Sequence, residues 1–155
     1  MSPARGSSAL QAMQRVCSMR EYCESDILSK LERFELNAGE AEKILESLKE
    51  DKFVDDNRYS RAFVRDKSRL SGWGGRKISF ALRRKKIEQS IIAEAIKELD
   101  KTSEAERLLK ILTVKAKTIG KDESRAKKTE KLIRFALSRG FDYDQALSAV
   151  NKIIG

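Results

Sequence analysis

The stretch Ile78-Ser79-Phe80-Ala81-Leu82-Arg83-Arg84-Lys85-Lys86-Ile87-Glu88-Gln89-Ser90-Ile91-Ile92-Ala93-Glu94-Ala95-Ile96 decides the fold. Its apolar anchors Ile78, Leu82, Ile87, Ile92 and Ile96 stand 4, 5, 5 and 4 residues apart. Steps of four keep neighbours on one helical face, and steps of five straddle a turn between two helices. The same spacing occurs 51 residues earlier, at Ile27, Leu31, Leu36, Ala41 and Leu45. It returns 54 residues later, at Leu132, Ala136, Phe141, Ala146 and Val150. Three copies of a helix–turn–helix pair are therefore expected.

Turn chemistry follows the same phase. Asn37 with Glu40 and Asp142 with Gln145 read as capping boxes at the second helix of the first and third pairs, while Glu88 is a poor cap. A further helix is expected before each pair, at about residues 8–19, 56–69 and 104–117. Asp55 or Asp56 would cap the middle one, and Ser103 with Glu106 would box the last. Tyr22 falls opposite Trp73 in the 51-residue register, and a longer inner loop around Gly120 accounts for the larger second offset. The predicted architecture is all-α: three tandem three-helix repeats at 8–54, 55–100 and 101–155, behind a disordered tail at 1–7. Each unit is too small to be more than marginal alone, so the units should stack as an elongated, curved row.

Composition agrees. Of the 155 residues, 37% are charged and 6% aromatic, with a single proline, which favours helix over sheet. The net charge of +9 is uneven: residues 1–52 carry −2, residues 53–100 carry +5 and residues 101–155 carry +6. That asymmetry points to an anionic partner for the later part. The chain has no histidine, which removes the usual neutral-pH base and the commonest metal ligand. Gly72-Trp73-Gly74-Gly75 lacks the Gly-Lys-Ser/Thr ending of a phosphate-cradling loop. A non-catalytic protein without cofactor or metal is expected. Cys17 and Cys23 have neither zinc nor redox spacing and read as reduced, semi-buried thiols. No apolar run reaches membrane-spanning length and the start lacks a signal-peptide core, so a cytoplasmic monomer without membrane contact is expected.

The densest basic run, Arg65 to Lys86, holds nine Lys/Arg against Asp66 alone. On the helix opening after Gly75, Ile78, Ala81 and Leu82 share one side, and Arg76, Lys77, Phe80, Arg83 and Arg84 share the other. A basic face centred on an aromatic ring suits phosphate contact with base stacking. The alternative is a solvated face with Phe80 packed on the neighbouring unit. The repeats supply an internal control. The same face reads Ser25, Asp26, Ser29, Glu32 and Arg33 in the first unit, and Glu130, Lys131, Arg134, Leu137 and Ser138 in the third. The fold alone therefore does not demand four cations there. Trp73 reads as a packing residue under the helix start, with stacking on nucleic acid the other possibility. Asp55-Asp56 reads as a cap rather than a metal site.

The run Phe53-Val54-Asp55-Asp56-Asn57-Arg58-Tyr59, then Ala62-Phe63-Val64, Gly72-Trp73-Gly74, Lys77-Ile78 and Leu82, resembles the RecX family of bacterial regulators of the RecA recombinase. Leu132-Ile133-Arg134-Phe135, Arg139-Gly140-Phe141 and Tyr143-Asp144 look like that family's third-repeat signature. The likeness runs from about residue 9 to the end and departs at Lys86, where glycine is expected before Ile87. The resemblance implies three-helix repeats seated in the groove of the RecA–single-stranded DNA filament, limiting its extension, ATP hydrolysis and strand exchange and promoting its disassembly. It makes Asp55, Asp56, Arg58, Gly72, Trp73 and Gly74 signature residues of the scaffold. The residues expected to touch filament and DNA phosphate are Arg76, Lys77, Phe80, Arg83, Arg84 and Lys85, extended by Lys131 and Arg134. A general nucleic-acid binder acting through the basic face without RecA, and a helical scaffold for another acidic protein, remain alternatives.

Overall fold

Each pair of helices forms because its apolar anchors are buried together. Ile78, Leu82, Ile87 and Ile92 are buried in the middle unit, as are all five anchors of the third, Leu132, Ala136, Phe141, Ala146 and Val150. In the first unit Ile27, Leu31 and Leu45 are buried, with Leu36 and Ala41 packed against them. The structure, a computed structural model, describes residues 3–155. Among these it contains nine α-helices and no strand.

The first unit comprises α1 (Pro3–Met19), α2 (Glu24–Leu31), a 3-10 turn (Glu32–Phe34) and α3 (Ala38–Glu50). The second comprises α4 (Asp56–Arg69), α5 (Gly75–Arg84) and α6 (Gln89–Ile96). The third comprises α7 (Lys101–Ala116), α8 (Arg125–Ser138) and α9 (Tyr143–Ile154). Three apolar clusters lie one within each unit, and the middle one borrows Cys23, the residue before α2, from the first. Among the described residues, the polar contacts between units join the first to the second and the second to the third, as in a row.

The capping residues show where local reading succeeds. Asp55 caps α4, its carboxylate accepting the N–H groups of Asn57 and Arg58 at 2.9 and 3.2 Å. Asp142 and Gln145 form the full reciprocal box at α9. At α3, Asn37 accepts from the Glu40 N–H, but the Glu40 carboxylate meets the Asn37 side-chain amide instead of returning to the backbone. Glu88 makes no side-chain cap.

Two expectations are corrected. Asp100, not Ser103, caps α7, accepting from both the N–H and the hydroxyl of Ser103. Aspartate is an acceptor only, so it can serve both donors, and the helix starts three residues earlier than expected. The chain is also helical from Pro3, inside the segment expected to be a disordered tail. Proline suits the first helical position, where its missing N–H has no partner to lose. Met1 and Ser2, the rest of that segment, lie outside the described residues.

The five-residue step at each turn has one physical cause. Glu35, Lys86 and Gly140, the residues before Leu36, Ile87 and Phe141, all sit in the left-handed region with φ of 55°, 61° and 95°. Such a residue ends a helix and redirects the chain at a cost of roughly 1–2 kcal/mol when it carries a Cβ. Lys86 is exposed and stands where the family resemblance implies glycine. Lys86→Gly should therefore stabilise the protein by about 0.5–1 kcal/mol, the strain relieved less the extra freedom of glycine in the unfolded chain. A lower urea midpoint for that variant would show that Lys86 makes an interaction worth more than the strain.

Candidate nucleic-acid interface

Helix α5 is oriented from both ends. At its start, the Gly74 N–H donates to the Arg139 carbonyl at 2.7 Å and the Arg76 N–H to the Gly140 carbonyl at 3.0 Å. This backbone contact is so close that a Cβ on Gly74 would lie 2.6 Å from the Gly140 oxygen. Gly72, with φ of 67°, turns the chain into this contact, and Arg139 adds a guanidinium bond to the Ser71 carbonyl at 3.2 Å. At the other end, the Ser25 hydroxyl donates to the Lys85 carbonyl at 2.6 Å and the Lys85 ammonium pairs with Asp26 at 2.6 Å. Helix α5 thus bridges the first and third units.

With Ile78 and Leu82 inside, the opposite face of α5 points outward. Arg76, Arg83 and Arg84 are exposed. Phe80 is 55% exposed and carries the Arg84 guanidinium 6.0 Å from its ring centre, so it does not pack on a neighbouring unit. Among the described residues Arg76, Arg83 and Arg84 have no acidic partner. The other residues expected on this surface differ. Lys77 is half-buried, with its ammonium 4.6 Å above the Trp73 ring. Lys85 ties the first two units together. In the third unit Lys131 pairs with Glu123 at 2.8 Å and Arg134 with Glu130 at 2.5 Å. Of the cations expected at the contact surface, those without an acidic partner among the described residues therefore all lie on α5.

The signature residues cluster at the joints. Trp73 is half-buried, edge-on to Phe63 at 6.4 Å, with the Lys67 ammonium 4.8 Å from its ring. Its register partner Tyr22 is flanked alike, by Arg20 at 4.9 Å and Lys30 at 4.6 Å. Arg58 pairs with Glu21 at 2.5 Å and reaches the Phe53 carbonyl at 3.3 Å. Asp56 accepts the Glu24 N–H at 2.9 Å, so its carboxylate serves the start of α2 across the joint. The acids of the first third thus belong partly to this joint, a role that charge counting alone does not reveal.

Burial, together with the neighbouring Glu24 and Asp55 carboxylates, pushes Asp56 up to about 6, against the opposing Glu24 N–H and the Lys49 ammonium. A carboxyl that binds its proton more tightly when folded adds stability below its unfolded pKa. That contribution fades as the pH rises through about 6. Asp56→Asn keeps an oxygen acceptor and loses the charge. The variant should gain stability relative to wild type between about pH 4.5 and pH 7, read from denaturation midpoints. An unchanged difference across that range would show that Asp56 titrates as an ordinary surface acid.

Among the described residues no helix is long and apolar enough to cross a membrane, and no group of three or more His, Cys, Asp or Glu is placed to hold a metal ion. Burial raises the thiol pKa of both Cys17 and Cys23.

A family model described as RecX, second three-helix domain, matches residues 55–96, the segment holding α4 to α6 and the exposed basic face. A regulatory protein RecX of Clostridium perfringens strain 13 is 30% identical over 131 residues, 84% of this chain. One of Prosthecochloris aestuarii is 29% identical over 154 residues, 99% of each chain. The chain belongs to the RecX family.

The crystal structure of RecX from Lactobacillus salivarius superimposes with a TM-score of 0.90 over 98% of each chain at 19% identity, a likeness of fold. This RecX-family chain spans 61% of the Clostridium perfringens relative and 48% and 52% of those from Clostridium botulinum strain Alaska E43 and Clostridium tetani, about half to three fifths of their length.

Proposed function

We propose that this RecX-family protein modulates, and mainly inhibits, RecA by lying in the groove of the RecA–single-stranded DNA filament. Bound there as a monomer, it limits filament extension, ATP hydrolysis and strand exchange without catalysis of its own. The observation that carries this reading is the outward face of α5, where Arg76, Arg83 and Arg84 stand unpaired around an exposed Phe80. That face belongs to the middle unit of a row, so the units on either side can engage neighbouring filament subunits. Several weak contacts made together favour an assembled filament over free RecA or a bare strand.

The test is a comparison of binding to RecA, to bare single strands and to assembled filament in one buffer. Tighter binding to filament than to either component, with slowed ATP hydrolysis, is the expected result. Equal affinity for bare strand and filament, with ATP hydrolysis unchanged at saturation, would instead mark a general nucleic-acid binder.

A further inference from the structure

Between the second and third units lies a groove of about 490 Å³, a size typical of small-ligand sites. Its chemistry is divided. Arg76 and Arg83 of α5 and Lys101 of α7 line it, all exposed and without acidic partners among the described residues. Glu104, also lining it, is 7% exposed. One Glu104 oxygen accepts from the Gln145 amide at 3.1 Å, and the other is buried with no hydrogen-bond partner. Leaving a carboxylate oxygen buried and unpaired is costly, and a ligand N–H donor would satisfy it.

We propose that this groove is a site for a guanine nucleotide, presented as one base of the single strand that crosses the α5 face. The inference rests on the single-strand reading above and gives it a base preference. A ligand here must offer donors to Glu104 and acceptors, or negative charge, to Arg76, Arg83 and Lys101. Guanine alone among the four DNA bases carries two adjacent donors, N1–H and the N2 amine, on one edge. Its O6 and N7 are acceptors that an arginine can meet in pairs. The remaining cations and the Ser79 hydroxyl, which also lines the groove, are left for the adjoining phosphate. Adenine and cytosine offer one amine and thymine one imino N–H, so each leaves the carboxylate less satisfied.

The experiment measures binding of the full chain to a thymine oligonucleotide carrying one central guanine. It is compared with the same strand carrying hypoxanthine, which lacks the N2 amine, with an all-thymine strand, and with free dGMP. The guanine strand should bind roughly tenfold more tightly than all-thymine, with hypoxanthine between them. Binding of dGMP as tight as that of the guanine strand would assign the site to the free nucleotide and overturn its assignment to the strand. Glu104→Gln should remove the preference. Ser79→Phe, which fills the groove from the surface of α5, should remove it too while leaving the helical fold and the Glu104–Gln145 pair in place. Equal binding of guanine and thymine strands, or a preference surviving in both variants, overturns the guanine site and leaves the filament reading standing. Absence of binding to every strand and to dGMP overturns the guanine site, while the filament reading stands or falls by binding to assembled filament. A guanine preference without filament binding supports the site and overturns the filament reading alone.

Discussion

Gly140→Ala is expected to destabilise the protein by about 3 kcal/mol or more, the largest loss among the glycine-to-alanine changes of this chain. Two costs combine. The residue sits at φ of 95°, where a side chain is strained by roughly 1–3 kcal/mol. Its new Cβ would also overlap the Lys77 Cβ and crowd the Lys77 N–H at 2.6 Å. Overpacking of this kind costs a further 1–3 kcal/mol or so. Gly74→Ala should be similarly damaging, because the atom opposing its Cβ at 2.6 Å is the backbone oxygen of Gly140, which has little freedom to move. Gly120→Ala is the control, since its Cβ would meet only the Glu123 side chain at 3.8 Å. Urea denaturation of the three variants makes the comparison. Wild-type stability in Gly140→Ala would mean that the α5 start does not pack against the α8–α9 turn.

Joint replacement of Arg76, Lys77, Arg83 and Arg84 with alanine should weaken binding to single strands by more than tenfold at low salt. The log–log salt dependence should flatten by about 0.7 for each phosphate no longer neutralised, approaching 3 if all four cations touch phosphate. The three arginines are exposed, and replacements of that kind alter stability by no more than about 0.5 kcal/mol each. Lys77 also covers Trp73, so its replacement costs roughly 0.5–1 kcal/mol more. The variant should therefore stay folded, which circular dichroism checks, while its inhibition of RecA falls with strand binding. Reversing Lys131 and Arg134 to glutamate should have a smaller effect, because Glu123 and Glu130 already neutralise them. A folded four-fold variant that inhibits RecA as well as wild type would mean that the α5 face is merely solvated.

The local sequence determined the helices, their phase and most of their ends. An apolar pattern of 4, 5, 5 and 4 residues is the burial code of two helices about one turn, and it reads the same wherever the unit stands. The caps at Asp55 and Asp142 are equally local, since a carboxylate two or three residues from an amide needs no other part of the chain. The basic face of α5 was legible for the same reason: opposite sides of one helix follow from about 100° per residue.

Only the tertiary structure decided which of those charges are free. Lys85 is held by Asp26, 59 residues away, and the Glu24 N–H by Asp56, 32 residues away. Arg139 reaches Ser71 across 68 residues, beside the Gly74–Gly140 contact that forces both residues to be glycine. The same is true of the groove that brings Glu104 to one lining with Arg76 and Arg83. A periodic pattern records which side of a helix is apolar, but a partner on another unit is chosen by how the units dock. That docking depends on shape and charge meeting across separations that no local window spans.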